Sequence, residues 1–260
     1  MSTPERLIEK LASEVAGTER KLTGLAARIR AIGLGSRRLE MLRRPDDDLV
    51  RRIDVLHSIL QPERVIDSIR AAVENAAITE HPVRHMVIPN VLPGDAYDAF
   101  VHGIPAADFF DEEDRSIEQL LVRTSPMPVD AMVTWMFVTD VAAPALAAAV
   151  MARAGVLSHH RHVVMSPRLV RRRPGYLAAA VSAQAAACVA VLNLAQPHDT
   201  SEYGSRLHGA SGAVDIPFHR NSAVVVFGPG DSLDYASIPE AAGPRAVRDT
   251  YQFGGAARTG

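Results

Sequence analysis

The sequence predicts an α+β chain whose core is a β-barrel or a jelly-roll-like sandwich with helices against one face. Three observations support this fold class. Residues 4 to about 78 have the spacing of amphipathic helices, whereas the part after Gly155 consists of short apolar runs between turn residues. The length of 260 residues suits one such core with an appended segment.

The N-terminal helices are predicted to form an extension, residues 1–80, ahead of a core domain, residues 81–260. Pro62 marks the start of a new helix within the extension. We expect the extension to pack on the barrel or to form a homodimer contact, and we assign it no catalytic residue. The apolar stripes that support these helices are Leu7, Ile8, Leu11, Val15; Leu22, Leu25, Ile29; Leu49, Ile53, Leu56, Leu60; and Val65, Ile66, Ile69, Val73.

Strand and helix patterns follow one another between His85 and Gly155. Met86-Val87-Ile88 predicts a short strand, and Asp95 begins a helix after a turn-rich stretch. A longer helix is predicted from Val129 to about Ala154. Pro144 should break or kink it, because proline lacks the backbone N–H and clashes with the preceding turn.

The second half of the chain is predicted to supply the strands of the core. Each run is rich in apolar residues and is bounded by Gly, Pro, Asn or Asp. The predicted strands are His162-Val163-Val164-Met165, Arg168-Leu169-Val170-Arg171, Cys188 to Leu194, Ala223 to Phe227, and Tyr251-Gln252-Phe253.

Charge and cysteine content exclude several classes of protein. Lys and Arg number 28 against 30 Asp and Glu, and the cluster Arg171-Arg172-Arg173 is too short to indicate a nucleic-acid partner. A single cysteine, Cys188, excludes an internal disulfide framework and indicates a reducing compartment. The N-terminus lacks a secretory pattern and polar residues interrupt the apolar stretches, so we expect a cytoplasmic protein without membrane contact.

Several segments together resemble a known enzyme family. The segment from Ile88 to Pro93, followed by a helix, resembles the opening of prolyl-hydroxylase-like and phytanoyl-type members of the iron(II) and 2-oxoglutarate-dependent oxygenases. Arg173-Pro174-Gly175-Tyr176 and the stretch from Phe218 to Leu233 resemble the lead-ins to its two iron-ligand segments. The resemblance covers about residues 86–255. It implies a double-stranded β-helix core, jelly-roll or cupin-like, with N-terminal and supporting helices.

The same resemblance locates the iron ligands, and none of the usual residues is present. The proximal histidine position falls on Val181, its partner carboxylate on Ala183, and the distal histidine on Asp234. Valine and alanine have no lone pair to donate, and one carboxylate does not hold ferrous iron alone. We therefore expect no metal, no other cofactor and no 2-oxoglutarate turnover at this site.

Two other groups of residues contain histidines that could supply metal ligands. His160 and His162 would share one face of a strand beside His159, but a third ligand is not apparent. The second group, in a predicted loop, fits no recognised metal spacing, although it could rim a pocket; it comprises His198, Asp199, Glu202 and His208. Nucleophile-elbow, dinucleotide-loop and phosphate-loop motifs are missing from the sequence.

These residues predict a metal-independent enzyme that acts on a small molecule by a redox-neutral acid–base step, such as an isomerisation, cyclisation or elimination in secondary metabolism. Asp234 would be the acid or base, and Tyr176 and Tyr235 would donate hydrogen bonds to an oxyanion. The predicted substrate-binding residues are Arg245 or Arg248, as carboxylate anchors, with Val181, Ala183 and Asn193 lining the cavity.

Two alternatives remain open. The first is a catalytically silent binding or scaffold protein that pairs with an active oxygenase through its N-terminal helices, which predicts an exposed apolar stripe on those helices. The second is an oxygenase whose metal is bound by unusual ligands such as the His159–His162 group.

Overall fold

Two helices with an apolar stripe open the part of the chain that the computed structural model describes. The structure describes residues 48–112, 116–155, 161–177, 187–228, 233–243 and 246–258, with backbone only at 161–163 and 256–258. Helix α1 is Leu49–Ile59, and helix α2, Pro62–Asn75, carries the proline in its first turn. Both belong with the sheets to one unit, residues 46–260. The predicted division at residue 80 stays a prediction, and the helices predicted before Asp48 lie outside the described residues.

The next elements alternate strand and helix, as the sequence predicts. Tyr97 and Phe100 give the helix after β2 its buried face. The elements are β1, Ile78–Thr79; β2, His85–Pro89; helix α3, Gly94–His102; a short 3₁₀ turn, Ala107–Phe109; β3, Asp111–Glu112; and β4, Ile117–Leu121.

A long helical run follows, and it is interrupted where the proline predicts. Helix α4, Val129–Phe137, passes into a π-helical turn, Val138–Ala142, and continues as α5, Ala143–Arg153. The wider turn lies directly before Pro144, whose ring and missing N–H disturb the regular ladder. The run Val129–Arg153 is long and apolar enough to cross a membrane by length and composition, but half of its apolar 18-residue stretch is buried in the protein. Such burial is typical of the core helix of a soluble protein.

The remaining strands build two antiparallel sheets. Strands β6 and β9 are almost entirely buried, which their unbroken apolar sequences explain. The large sheet has the order β1-β2-β9-β6-β11-β5-β4-β3, and the small sheet has the order β10-β7-β8. The strands are β5, Arg161–Arg172; β6, Cys188–Asn193; β7, Ser205–Gly209; β8, Gly212–Ile216; β9, Ser222–Phe227; β10, Leu233–Tyr235; and β11, Arg248–Arg258.

The path of the chain through the two sheets defines a jelly roll. From β6 onward the chain visits the large sheet, the small sheet twice, the large, the small and again the large. The last strand, β11, lies between β5 and β6 and closes the roll. This winding is that of a double-stranded β-helix. The predicted fold class, an α+β chain with this core and supporting helices, is therefore confirmed.

Each of the two faces of the large sheet packs against a different hydrophobic core. On β6, Cys188, Ala190 and Leu192 pack with the helices, whereas Val189 and Val191 point toward the small sheet. This alternation follows from the two-residue period of a strand. We call the region between the two sheets the interior.

Strand β5 contains a bulge that changes which residues face the interior. The pairing with β11 shifts by one residue between Gln252 and Gly254, opposite Ser166, whose φ is 49°. Val164, before the bulge, and Leu169, after it, both pack on the helix side. The sequence predicted two separate strands here, His162 to Met165 and Arg168 to Arg171. The structure has one strand, β5, with a bulge between the two predicted segments.

Candidate functional site

Polar side chains from both sheets meet in the interior. Strand alternation points Asn193 and Thr250 of the large sheet toward Ser205 and Tyr235 of the small sheet. We call the following residues, all buried, the interior polar cluster: Arg172, Tyr176, Asn193, Ser205, Tyr235 and Thr250. Because β5 ends at Arg172 and β11 starts at Arg248, the cluster lies at one end of the sandwich, a common position for ligand sites in β-barrels.

Hydrogen bonds link part of this cluster along the large sheet. Thr250 lies directly opposite Asn193 on the neighbouring strand. The Thr250 hydroxyl accepts a 3.0 Å hydrogen bond from Gln252 and a long, 3.4 Å one from Nη1 of Arg172. Asn193 Nδ2 donates to the Ser222 hydroxyl at 3.0 Å. These bonds fix the side chains on the large sheet but use only part of their hydrogen-bonding capacity.

Four buried polar atoms of the cluster have no hydrogen-bond partner within the described part of the chain. They are Arg172 Nε, Asn193 Oδ1, Ser205 Oγ and Tyr235 Oη. An unpaired buried donor or acceptor costs about 1–3 kcal/mol, and native proteins contain only a few. Four of them in one cluster indicate that a ligand or water completes the site.

Arg172 lies against the aromatic rings of the cluster. Its Cζ is 3.1 Å from the ring centroid of Tyr235 and 5.6 Å from that of Tyr176. Burial raises the pKa of the Tyr235 phenol, and the nearby guanidinium of Arg172 opposes this rise. Tyr235 therefore keeps its proton at neutral pH and can donate it.

Arg248, a predicted carboxylate anchor, is engaged with the protein backbone. Its guanidinium donates to the carbonyls of Thr200 and Glu202 at 2.7 to 2.9 Å and to the Thr200 hydroxyl at 2.8 Å. The ring of Phe218 lies below it, with the centroid 4.7 Å from Cζ. Arg248 thus ties the loop after β6 to the start of β11.

Asp234 points away from the interior polar cluster. Its strand neighbours Leu233 and Tyr235 belong to the interior core, so Asp234 faces the outer surface of the small sheet. There its Oδ2 lies 3.0 Å from Nε2 of His208, and its side chain is 21% exposed. The structure therefore brings Tyr176, Tyr235 and Asn193 together but does not bring Asp234 to them. His208, predicted in a loop, lies on β7.

We expect the substitution Asp234→Asn to have little effect on ligand binding in the interior. A partly exposed carboxylate–histidine pair contributes at most about 1 kcal/mol to stability, and asparagine preserves the shape of the side chain. Urea unfolding and ligand titration of the variant measure both quantities. A large loss of ligand affinity would show instead that Asp234 reaches the interior.

Several predicted residues lie outside the described residues. Val181, Ala183 and Arg245 are among them, and their predicted roles stay predictions. His159 and His160 also lie outside, and only the backbone of His162 is described. Of the second histidine group, His198 lies 3.8 Å from Asp199, whose carboxylate accepts the backbone N–H of Gln196.

The interior residues that the structure describes do not fit the iron site of the family that the sequence resembles. On β10, the residues that face the interior are Leu233 and Tyr235, neither of which is an imidazole or a carboxylate. Within the described ranges, no group of three His, Cys, Asp or Glu side chains could hold a metal ion. The buried guanidinium of Arg172 would also repel a cation. The donor set favours an anion.

Comparisons with known proteins give structural matches alone. No protein-family model and no curated protein matches the chain. A prolyl-4-hydroxylase from Pseudomonas putida is similar with a TM-score of 0.48 and 15% identity, over 75% of this chain and 100% of that chain. The alpha ketoglutarate-dependent epimerase SnoN from nogalamycin biosynthesis has a TM-score of 0.48 and 9% identity, over 75% and 83%. The alpha ketoglutarate-dependent carbocyclase SnoK from nogalamycin biosynthesis has a TM-score of 0.44 and 12% identity, over 72% of this chain and 82% of that chain.

The descriptions of these structures name a prolyl hydroxylase and alpha ketoglutarate-dependent enzymes, as in the family that the sequence resembles, but TM-scores below 0.5 carry no argument about this chain. The assignment of the fold itself rests on the strand order of this chain.

The sequence analysis missed three residues of the interior polar cluster, Ser205, Thr250 and Arg172. A signal in the sequence could have found Arg172. It stands in the run Arg171-Arg172-Arg173, which has the pattern of a solvated surface cluster. Within a strand, however, the middle residue faces opposite to its two neighbours. A predicted strand reaching Arg172 would have separated it from them.

Proposed function

We propose that this protein binds a small organic molecule in the interior and converts it by a redox-neutral acid–base step that needs no metal ion. The observation that supports this proposal is the set of four buried polar atoms without partners, which come from both sheets. Their donors and acceptors suit a polar substrate, and the same residues do not form the ligand set of an iron site. Ring closure or isomerisation is the class of reaction that these side chains support best.

Tyr235 would act as the proton donor in this reaction. Its buried hydroxyl is unpartnered and stays protonated at neutral pH because burial raises its pKa. As a nucleophile within the substrate attacks a carbonyl carbon, the C=O electron pair moves to oxygen, which takes the proton from Tyr235. The phenolate then receives the proton that the nucleophile loses. The net reaction is an isomerisation, and no oxidant or cofactor is required.

Arg172 would support Tyr235 in this cycle. The guanidinium lies against the phenol ring, so its positive charge favours the transient phenolate. General acid catalysis contributes about 10²- to 10⁴-fold to a rate. Tyr235 therefore provides the proton, and Arg172 stabilises the negative charge that the loss of this proton creates.

The substitution Tyr235→Phe is expected to lower turnover about 100-fold or more, since the variant lacks the proton donor. The fold should persist because the hydroxyl has no partner to lose. The assay incubates the protein with a metabolite extract under EDTA and without dioxygen, and mass spectrometry follows conversion of a compound into an isomer of equal mass. Tyr203→Phe is the control, because that tyrosine lies outside the interior polar cluster.

Two results would contradict the proposal. One is a product that is heavier by one oxygen atom and forms only with ferrous iron and dioxygen. The other is full turnover by the Tyr235→Phe variant. The assay therefore separates an acid–base enzyme from an oxygenase with unusual ligands.

A silent scaffold protein is the second candidate, and one observation favours it. Val50 and Val55 on α1 are 72% and 50% exposed, and an apolar groove of about 870 Å³ runs between α2 and α5. The groove is lined mainly by Ile66, Val73, Pro144 and alanines of α5. In this case no isomer would form in the assay above, and the protein would copurify with an active oxygenase.

A further inference from the structure

The groove between α2 and α5 is an open apolar surface on the helix side of the protein. Its volume is about 870 Å³. Partly exposed alanines of α5 form its floor, and Ile66 and Val73 of α2 form one wall. Contiguous apolar surface on a soluble protein often marks an interaction site. The charges around the groove indicate which partner fits it.

The groove-lining residues of the helical run from the π-helical turn through α5 are symmetric about the middle of that run. They recur every three or four residues, as one face of a helix requires. Read inward from the two ends, the counterparts are Asp140 with Arg153, Val141 with Ala152, and Ala145 with Ala148. In a two-fold dimer, residue i of one copy contacts residue j of the other, and j contacts i. Antiparallel packing of two copies of this run therefore brings each residue against its counterpart.

The two ends of the run carry opposite charges. Asp140 lies in the π-helical turn and Arg153 in the last turn of α5, about 20 Å away at 1.5 Å per residue. Both side chains are exposed. In an antiparallel pair, each Asp140 meets Arg153 of the other copy, and two ion pairs form. In a parallel pair, like charges would face each other. The run is thus complementary to itself in the antiparallel orientation.

The rest of the lining agrees with a second copy as the partner. The side chains of Ala145 and Ala148 end at Cβ, so two helices can approach closely there. On the α2 wall, Arg70 and Glu74 again contribute one charge of each sign. The lining therefore has no excess charge, whereas a groove for an acidic or a basic partner would carry an excess of the opposite sign.

We propose that a second copy of this chain occupies the groove and that the two α5 helices pack antiparallel in a two-fold symmetric dimer. The sequence prediction placed a homodimer contact on the N-terminal helices, whereas here α5 supplies the central contact and α2 flanks it. The proposal is independent of the proposed function, because the interior lies on the other side of the large sheet from α5.

Charge reversal at the two ends of the run tests this interface. Asp140→Arg creates two contacts between positive charges in a homodimer, and Arg153→Glu creates two between negative charges. Each variant alone should dimerise about 10- to 100-fold more weakly than the native protein. A mixture of the two variants should form a heterodimer about as tight as the native dimer, because each introduced side chain then faces an opposite charge. Sedimentation velocity of the full chain over a concentration series measures the dissociation constants.

Two further variants serve as controls. Arg206→Glu reverses an exposed charge on the outer surface of the small sheet, where Arg206 pairs with Asp215 at 3.3 Å, and should leave dimerisation unchanged. Ala148→Glu places a carboxylate in the middle of the groove and should prevent dimerisation. Because Ala148 is only partly buried, circular dichroism of this variant should show the native fold.

Three outcomes would overturn the proposal. The first is a native protein that stays monomeric at every concentration, which would leave the groove to a lipid surface, a different protein or a segment of the same chain. The second is a dimer that both charge-reversal variants form as tightly as the native protein, since its interface would lie elsewhere. The third is a mixture of the two variants that forms no heterodimer. None of these outcomes affects the isomerisation assay of the proposed function.

Discussion

Replacing Trp135 by alanine is expected to lower the free energy of unfolding by about 3–5 kcal/mol. Trp135 is fully buried in the helix-side core and is stacked on Tyr251, with ring centroids 5.7 Å apart. Its Nε1 donates to the Gly103 carbonyl at 2.7 Å, so the substitution leaves a cavity and an unpaired acceptor. Urea unfolding followed by circular dichroism measures the change.

Met132→Ala on the same helix is the matched control, because that side chain is 46% exposed. It should change stability by less than about 1 kcal/mol. A comparable loss in both variants would mean that α4 is destabilised by the alanine itself and that the stacking of Trp135 on β11 adds nothing.

Arg248→Met is expected to lower the free energy of unfolding by about 3 kcal/mol or more. The substitution removes every hydrogen bond that the charged guanidinium gives to Thr200 and Glu202 and leaves these carbonyls without that donor. The loop that contains these residues should then exchange its amide hydrogens faster. Urea unfolding and hydrogen exchange measure the two effects.

Arg172→Met is the matched comparison for Arg248→Met, because the same substitution is made at a neighbouring buried arginine. The two arginines lie directly opposite each other on β5 and β11, and both are buried. The same substitution should destabilise the protein at Arg248, whose guanidinium has carbonyl partners. It should stabilise the protein at Arg172, whose Nε has no partner among the described residues. Equal effects at both positions would refute the distinct roles that their contacts assign.

The helices and the central strands could be predicted because their sequences carry a strong apolar pattern. α2 begins at Pro62 as predicted, and β6 and β9 are unbroken apolar runs. By contrast, β8 is a Gly-Ala-Val-Asp-Ile segment that is exposed over most of its length. Strands of this kind are held by pairing with a neighbour, which one sequence does not reveal. The small sheet was therefore missed.

Because the small sheet was not predicted, the sequence analysis placed some site residues correctly and others not. Tyr176 and Tyr235 were predicted as partners and do meet in the interior. Asp234 was placed beside them because the family resemblance puts the distal histidine position on it, and the strand β10 that turns it outward was not predicted. On a strand, a shift of one residue moves a side chain to the opposite face. Arg172 was passed over because the predicted strand ended at Arg171, one residue before the end of β5.

The bulge at Ser166 determines the electrostatic character of the interior. Val164 and Leu169 face the helices although an odd number of positions separates them, so one additional residue inverts the alternation along β5. Without it, the downstream half of the strand would present Arg171 and Arg173 inward and send Arg172 to the helices. A single insertion or deletion at this point would thus exchange the inward and outward side chains in the downstream half of β5. The charge in the interior would change although no side chain of that half was replaced.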